Sequence, residues 1–480
     1  SFTQNGGSYV GEANAAGQSD RINVAGAATI NGVAVQVVAA PGTYATSTTY
    51  TILSATGGVT GTYSSVTSNF AFLTPSLSYG PNEVLLTLAL QGSTPFSGFG
   101  GNTPNQQSVG RALDQSYAGA TGDFATVIGA LANLSTTQAS PSLNAISGQP
   151  YADFGTVNVS TGALFMNALG QQMAGARAGA VGTRIALADA CGIAACDGAS
   201  LNAWTSALGG LGSVLGNGNT ATLTYNAGGV AAGMDYRFDP RFLAGLGVGY
   251  AHSTQWVNGF MGQGWTDSVS VAAYGSFTQW GLYVDALAGY AYSNNQQQRQ
   301  IAIPGLQPRT ASGSTGANQF LGQVEGGYKL GIYTPAQGAI TPFGRLQVSS
   351  VTQNAFTESG ANSLNLNVAQ QTTNSVRSTL GADLGGAIGV GGDRTIDLAL
   401  RLGWQHEFAD TARPITASFA GAPTAAFTVY GATPQSNSAV VGFSARTTVA
   451  ANASIYLRYN GEVGGGTDNH SLNIGGRYSW

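Results

Sequence analysis

The sequence predicts a mainly β chain: a 12-stranded antiparallel transmembrane β-barrel with an α-helix in its lumen, preceded by an all-β region for which a parallel β-helix is one of two candidate folds. Three observations support this fold class. Only 8% of the 480 residues are charged, whereas soluble domains carry about 25%. No apolar run reaches the roughly 20 residues that a membrane-spanning helix needs. Runs of alternating apolar and polar residues recur through the second half of the chain, and strands can cross lipid only as a closed barrel.

The N-terminal region, residues 1–100, is predicted to be all-β. Thr, Val, Ser, Gly and Asn dominate it, and turn signals such as Asn31-Gly32 and Gly57-Gly58 separate short β-rich runs. This spacing suits the rungs of a parallel β-helix or a small sandwich, and no strict repeat decides between them. The first residues contain no basic or apolar leader segment. We therefore expect a mature or truncated chain, with most of the N-terminal part of the protein lying upstream of Ser1.

Residues 101–200 are predicted to be a helical linker. Thr103 and Pro104 suit an N-cap and a first helical position, and a second helix is expected at about 161–184. At 1.5 Å per residue this second helix is about 36 Å long, enough to cross a hydrocarbon core. It is too polar to face lipid, so we expect it to lie inside a polar sheath. The residues that make it polar are Asn167, Gln171, Gln172, Arg177 and Arg184.

Residues 201–480 are predicted to supply that sheath as about twelve alternating strands, with short turns and longer loops as in outer-membrane barrels. Twelve strands enclose a bore between the filled interior of about eight strands and the open channel of about 16 to 18. A helix about 10–12 Å across should nearly fill this bore. Charged residues with the parity of the inner face are expected to line the lumen and contact the helix. They are Asp285, Glu325, Lys329, Arg345, Asp397, Arg401, Glu407, Arg458, Glu462 and Arg477.

The C-terminal strand has one apolar and one polar face. Leu472, Ile474, Tyr478 and Trp480 share the apolar face, and aromatic residues are common where a barrel meets the membrane interface. This strand resembles the C-terminal signal that outer-membrane barrel proteins present to their insertion machinery. These four residues are therefore an expected assembly signal.

Little in the sequence indicates catalysis, a cofactor or a metal. Cys191 and Cys196 are a disulfide candidate in an oxidising compartment, with free thiols as the alternative. Two Cys without a nearby His do not make a metal site. All three His (His252, His406 and His470) lie in the barrel region, which excludes a Ser-His-Asp triad in the N-terminal region. The net charge of −4 without a basic cluster argues against nucleic acid as a partner.

Several segments, in this order along the chain, resemble the translocator end of type Va autotransporters. Residues 143–152 resemble the block that precedes the family's lumen helix, with Gln149 where the family usually has Glu. Residues 401–408 (Arg-Leu-Gly-Trp-Gln-His-Glu-Phe) resemble its Trp-x-His-Glu-Phe strand, and 471–480 resemble its closing strand. The other similar segments are 228–238, 419–423 and 427–431, and upstream 50–55 and 72–90, which resemble the autochaperone end of a β-helical passenger.

The resemblance implies a translocator that inserts in the Gram-negative outer membrane and delivers and anchors its own N-terminal passenger at the cell surface (type V secretion). The implied partners are outer-membrane lipid and lipopolysaccharide, the barrel assembly machinery and periplasmic chaperones. The implied barrel is monomeric and is not an enzyme. Some relatives cleave their linker by attack of an Asn side chain on its own backbone, and Asn167 is the candidate here. The alternatives are a porin or adhesin-like channel without passenger export, and a soluble β-solenoid enzyme or lectin.

Overall fold

The computed structural model describes residues 1–40, 42–90, 92–190, 200–332, 338–391 and 395–480. Three regions follow one another along the chain: a group of small sheets, a helical region and a closed barrel. Among the described residues, no helix is both long enough and apolar enough to cross a membrane.

Short strands form the N-terminal region. They are β1 Phe2–Gln4, β2 Ser8–Ala13, β3 Ile22–Val24, β4 Ala28–Asn31, β5 Ala34–Ala39, β6 Ser47–Ala55, β7 Val59–Thr62, β8 Ser65–Ser68, β9 Thr74–Tyr79 and β10 Glu83–Ala89. In the parallel ladders β1–β4–β7, β2–β5–β8 and β3–β6, each strand pairs with the strand three further along the chain. β10 pairs antiparallel with β6 and β9. The chain therefore winds repeatedly past three sheets.

One apolar cluster fills the space between these sheets. Val35 and Val37 on β5 point inwards together with Ile30 and Leu53, and all four are nearly fully buried. Gly61 is required where two windings cross, because its φ is +81° and a Cβ there would overlap the Ile30 carbonyl oxygen. The apolar alternation in this part of the sequence thus corresponds to an inward-facing core.

The helices are α1 Pro104–Ser116, α2 Gly122–Ala132, α3 Thr136–Ser147 and α4 Gln149–Ala190. α1 begins at the predicted cap, where Gln106 N donates to Thr103 Oγ1 at 3.3 Å and Thr103 N donates to Gln106 Oε1 at 2.8 Å. Gly148 ends α3 with a φ of +75°. Pro150 then lies in the first turn of α4, where its missing N–H removes no hydrogen bond. α4 is longer than the predicted helix at 161–184, because no later proline interrupts the chain before 161.

Seventeen strands follow α4 in the described residues, and twelve of them are long. In chain order they are β11 Ser200–Val214, β12 Leu223–Arg237, β13 Phe242–Val257, β14 Met261–Gln279, β15 Leu282–Ile301, β16 Arg309–Tyr328, β17 Leu330–Gly331, β18 Ala339–Gln353, β19 Phe356–Thr357, β20 Leu366–Val368, β21 Gln371–Gly389, β22 Thr395–Glu407, β23 Pro414–Phe419, β24 Ala422–Tyr430, β25 Asn437–Ala450, β26 Ala453–Gly464 and β27 Thr467–Ser479.

The long strands form one closed antiparallel barrel. Neighbours pair in order around the wall, and β11 pairs with β27 to close it, with Ala207 opposite Ile474. β16 pairs directly with β18. The short strands β19, β20, β23 and β24 form a separate four-stranded sheet within the longer loops. The predicted 12-stranded barrel is confirmed.

The barrel wall has an apolar outer face and a polar inner face. On β15, Leu282, Tyr290 and Tyr292 are exposed on the outside, whereas Asp285 is buried towards the lumen. From Asn294 onwards the outward positions of β15 are Asn or Gln. The apolar band therefore ends at the tyrosines, and the last part of β15 and its partner β16 extend beyond it at the end with the longer loops.

Candidate functional site in the barrel lumen

α4 passes through the barrel lumen. It contacts strands from β11 round to β21 and also β27, on the other side of the β11–β27 seam. Most of its side chains from Gln149 to Ala176 are buried, although they include hydroxyl and amide groups as well as apolar ones. Buried polar groups need hydrogen-bonding partners, and a polar inner wall can supply them where lipid could not.

One side of α4 packs against an apolar part of the wall. Phe165, Leu169 and Met173 are at most 3% exposed, and they cluster with Trp204 on β11 and Tyr274 on β14. Trp204 Nε1 donates to the Tyr274 hydroxyl at 2.6 Å. This hydrogen bond satisfies the indole N–H and fixes the orientation of the aromatic surface that the helix meets.

Elsewhere the inner wall carries a buried charge network centred on Arg401. Its Nη1 and Nη2 each donate to the Glu325 carboxylate at 3.0 Å, and its Nε and Nη2 each donate to the Asp383 carboxylate at 2.7 Å. The guanidinium also lies over the Phe343 ring, 4.0 Å from its centroid. One arginine thus joins strands β16, β21 and β22 with two-pronged hydrogen bonds, which are the strong and directional kind.

Two further arginines make polar contacts between α4 and the wall. Arg177 of the helix forms an ion pair with Asp285 and stacks over the Tyr283 ring, 3.9 Å from its centroid. Arg345 of the wall donates from Nη1 to Asn167 Oδ1 at 3.3 Å. The helix is therefore held by specific partners at two depths in the lumen.

Near its inner end α4 offers backbone carbonyls to the wall. Arg237 Nη2 donates to the Ala176 oxygen at 2.7 Å, and Arg446 Nη1 donates to the Gly175 oxygen. Consecutive carbonyls with cationic partners indicate that this end of the buried helix is tied to β12 and β25.

Asn167 also lines a small cavity between α4 and the wall. Gly170, Asp285, Glu325 and Arg345 are among the other residues of its lining. An amide side chain and two carboxylates thus meet at one cavity. Self-cleavage at Asn167 stays a prediction.

The remaining charged residues expected in the lumen fall into two groups. On the inner wall, Glu407 and Glu462 lie 3.0 and 3.6 Å from Arg377, Arg458 Nε donates to Asn460 Oδ1 at 3.1 Å, and Arg477 pairs with Asp235. Lys329 and Asp397 are instead exposed, near the ends of β16 and β22 that adjoin the short turns. Lys329 follows the last residue of β16, so strand parity does not decide its direction. Gln171 is buried in α4.

Sequence reasoning missed Arg377 and Asp383 on β21 and Asp235 on β12. On β21 the small residues Ser378, Ala382 and Gly386 interrupt the large apolar residues at outward positions, which weakens its alternation. Counting parity from Leu380 and Leu384, both of which face outwards, would have placed Arg377 and Asp383 in the lumen.

A buried ion pair holds α4 at its outer end. Arg299 near the end of β15 donates from Nε and Nη2 to the two oxygens of Glu358, both at 2.7 Å. The Tyr151 hydroxyl donates to Glu358 Oε1 at 2.6 Å, and Leu366 N donates to Oε2 at 2.7 Å. Arg299 Nη1 reaches the Ala145 carbonyl of α3 at 2.8 Å. Both carboxylate oxygens of Glu358 accept hydrogen bonds, so no buried charge is left unpaired. The ion pair therefore connects the helices, the loop and the barrel.

A second ion pair attaches the helical region to the barrel rim. Arg309 Nη2 lies 2.6 Å from Asp123 Oδ1, and Ser363 N donates to Asp123 Oδ2 at 3.1 Å. The hydrogen bonds from Arg309 lower the pKa of the Asp123 carboxyl to about 2. Asp123 is therefore a carboxylate at neutral pH and holds α2 against the start of β16.

The outward positions predicted for β27 are exposed. Leu472, Ile474, Tyr478 and Trp480 all lie on the outer surface of the barrel. His406 lies on the outer face of β22, with ring contacts to Trp404 on the same strand and to Phe408, which follows the strand. Cys191 and Cys196 and the side chain of Arg184 lie outside the described residues.

A closed barrel with a helix in its lumen is found in more than one class of membrane protein, and comparison with known families decides between them. Residues 203–460 match the family model described as "Autotransporter beta-domain", which covers more than half of the chain. This chain belongs to the autotransporter β-domain family.

Two curated relatives of this autotransporter match different lengths of the chain. An "Extracellular serine protease" from Serratia marcescens is 22% identical over 467 residues, covering 89% of this chain and 42% of the relative. "Esterase EstA" from Pseudomonas aeruginosa is 25% identical over 262 residues, covering 54% of this chain and 38% of the relative. The chain thus spans less than half the length of the curated relatives it matches.

Solved translocator structures are also similar to this autotransporter. The translocator domain of NalP from Neisseria meningitidis is 18% identical with a TM-score of 0.49, covering 66% of this chain and 96% of that one. The transport unit of AIDA-I from Escherichia coli is 17% identical with a TM-score of 0.45, covering 58% and 90%.

Family membership establishes the location and general role of the barrel. It is the translocator of a type V secretion system, a monomeric barrel in the outer membrane of a Gram-negative cell with its passenger at the surface. The translocator family is itself non-enzymatic. In outer-membrane barrels short turns face the periplasm and long loops face outwards, so the end with Glu358 and the helical region is extracellular.

Proposed function

We propose that this autotransporter delivers its own N-terminal passenger through the barrel to the cell surface and then anchors it there through α4. The observation that carries the proposal is the position of α4. The helix fills the lumen, joins the N-terminal sheets at the extracellular end, and leads into β11 at the other. When export ends with α4 in the lumen, the passenger stays attached to the barrel at the cell surface, and the helix closes the channel.

We propose that residues 1–100 are the C-terminal end of a β-helical passenger with an autochaperone role. The support is the three parallel ladders β1–β4–β7, β2–β5–β8 and β3–β6, in which each strand pairs with the third strand along, since such ladders stack windings on one another. Folding of such windings outside the cell buries apolar side chains and would bias the chain outwards without ATP. Residues 101–200 would then be the linker and 201–480 the translocator.

The partners follow from this route. The exposed apolar face of β27 suits recognition by the barrel assembly machinery, with periplasmic chaperones protecting the strands before insertion and lipopolysaccharide surrounding the finished barrel. We propose that the chain described here is not itself an enzyme. Its matched relatives are a serine protease and an esterase by name, and the chain spans less than half of either, so any enzymatic activity of a longer protein would lie outside the chain described here.

The alternative is a porin or adhesin-like channel that exports no passenger. Such a channel needs an open bore, whereas α4 and its partners occupy this one. A soluble β-solenoid enzyme or lectin would need the apolar strand faces to be packed in a core, whereas here they form the outer surface of the barrel.

The test compares outer-membrane fractions of the wild type with a deletion of residues 161–184. We expect both to migrate faster on SDS gels before heating, as folded barrels do, and only the deletion to conduct strongly in planar bilayers. A wild type with the conductance of the deletion would contradict a plug. Protease shaving of intact cells tests delivery, because an exported N-terminal region is cleaved and a periplasmic one is protected.

A further inference from the structure

At two positions where α4 packs closely against the wall, a glycine of the barrel lies directly opposite a large side chain of the helix. A Cβ at Gly249 would lie 2.7 Å from Phe165 Cδ2, and one at Gly247 would lie 2.6 Å from Leu169 Cδ2. Both glycines are on the inner face of β13, and Phe165 and Leu169 are almost fully buried. Since real Cβ atoms essentially never approach other atoms within 3.0 Å, a Cβ at Gly249 would require the Phe165 ring to move, and one at Gly247 would require the more flexible end of Leu169 to move.

Two further contacts have the opposite arrangement, with the glycine on the helix. A Cβ at Gly162 would lie 2.5 Å from Gln319 Nε2 and 2.8 Å from Leu321 Cδ2 on β16, and one at Gly155 would overlap the Thr373 hydroxyl on β21. Helix and wall are thus complementary in both directions. We call these four contacts, at Gly155, Gly162, Phe165 and Leu169, the glycine contacts.

Three glycine contacts lie along one face of α4. Gly155, Gly162 and Leu169 are spaced by about two helical turns, which returns each to the same face within about 20°. They meet β21, β16 and β13 in turn, because barrel strands are tilted and the wall winds around a straight helix. A shift of the helix by one turn would bring Asn158 or Met166 to Gln319, where even a Cβ would require the Gln319 amide and the Leu321 methyl group to move.

We propose that the glycine contacts are a register stop. They oppose a shift of α4 by one turn from the register observed, so they hold the chain at this register in the barrel and set how far the passenger end emerges. Hydrogen bonds such as that between Arg345 and Asn167 can re-form with other amides of a sliding helix. Overlap between packed atoms cannot be relieved in this way, so these contacts select the register. The proposal rests on the export function proposed above.

The test uses Gly162→Ala and Gly249→Ala in the full chain, with Gly170→Ala as the matched control. A Cβ at Gly170 would meet only Gln323 Nε2, at 3.4 Å. Gly162→Ala and Gly170→Ala raise helix propensity equally, so a difference between them reports the contact. We expect the time spent conducting in planar bilayers to rise about tenfold or more in Gly162→Ala and Gly249→Ala, and to stay unchanged in Gly170→Ala.

A size exchange keeps the test decisive if an added methyl group impairs folding. Phe165→Ala adds no atoms, and combined with Gly249→Ala it should bring conductance back towards the wild-type level. Two results would overturn the register stop. One is that Gly162→Ala and Gly249→Ala conduct no more than Gly170→Ala. The other is that the double variant conducts as much as Gly249→Ala alone. Protease shaving of wild-type cells separates the two proposals: a protected N-terminal region would overturn export itself, and with it the stop.

Discussion

At the scale of single residues, the lumen is defined by how each buried charge is paired. Arg401 is 9% exposed and holds two carboxylates, Glu325 and Asp383. Removing one partner of a buried pair leaves an uncompensated charge, which destabilises more than the pair itself stabilises. We therefore expect replacement of Arg401 to destabilise the barrel more than replacement of any other residue of the wall.

Arg401→Met should lower the free energy of unfolding of the barrel by about 3–5 kcal/mol, because Glu325 and Asp383 both lose their charged partner. The measurement is the urea concentration at which the fast-migrating band on unheated gels is lost. Arg458→Met is the matched control, since Arg458 Nε donates to the neutral Asn460. Equal losses in the two variants would contradict the role assigned to Arg401.

The attachment of α2 to the barrel rim should depend on pH. Arg309 depresses the pKa of folded Asp123 from 3.8 to about 2, so the folded state favours the carboxylate. The resulting stabilisation is complete above pH of about 4 and is lost as the pH falls towards about 2. Protection of α2 amides from hydrogen exchange should decrease over this window.

Asp123→Asn is the control for this pH dependence. The variant should show weaker protection at pH 6 and a flatter profile below pH 4, because it has no carboxylate to protonate. Since Asp123 is about one-third exposed, solvent screening keeps the effect modest. A profile in Asp123→Asn as steep as that of the wild type would assign the change to other groups.

At the scale of elements, α4 is held by different forces along its length. Its outer end is fixed by the buried Arg299–Glu358 pair and Tyr151, its middle by apolar packing and the glycine contacts, and its inner end by arginines on backbone carbonyls. The position of so polar a helix is determined by its tertiary contacts and not by an amphipathic pattern of its own. Loosening one section should therefore leave the others engaged.

Glu358→Gln should loosen only the outer section of α4. Arg299 then loses its charged partner, and the Tyr151 hydroxyl loses a carboxylate acceptor. We expect faster amide exchange at residues 149–156 of α4 and unchanged exchange near residues 165–173. Glu12→Gln, at an exposed position on β2, is the control. Uniformly faster exchange along α4 would show that the helix moves as one unit.

At the scale of the whole molecule, closure of the barrel decides stability, because it leaves no unpaired strand edge in lipid. β27 makes this closure with β11 along its full length. The outward residues of β27 must be apolar to face lipid, while its inward residues contact the polar lumen. Damage to either face of β27 therefore affects every strand through the seam.

Ile474→Lys should reduce assembly by placing a charge on the lipid face of the closing strand, a cost of about 2–4 kcal/mol near the bilayer centre. The measurement is the fraction of heat-modifiable barrel in outer membranes. Thr224→Lys is the control, since Thr224 faces outwards on β12 near the extracellular end, where a charge is tolerated. Equal yields would place Ile474 outside the membrane band.

Much of the fold could be predicted from the sequence where alternation is strong. β22 and the second half of β27 carry large apolar residues at most outward positions, so their direction and inner residues followed from parity. On β12 and β21 small residues such as Gly228, Ala232, Ala382 and Gly386 interrupt this series, and Asp235, Arg377 and Asp383 were missed. The start of α4 was also misplaced, because a helix sheathed by a polar wall lacks the apolar periodicity that marks a helix boundary.

The sequence by itself determined the fold class, because period-2 alternation and the low charge content are local properties that any membrane strand must satisfy. Only the tertiary structure decided which charges pair and which glycines lie beneath which side chains. Those contacts join residues far apart in the chain, such as Arg299 with Glu358 and Gly249 with Phe165. They depend on strand register and barrel tilt, which no local pattern specifies, and they set where α4 comes to rest.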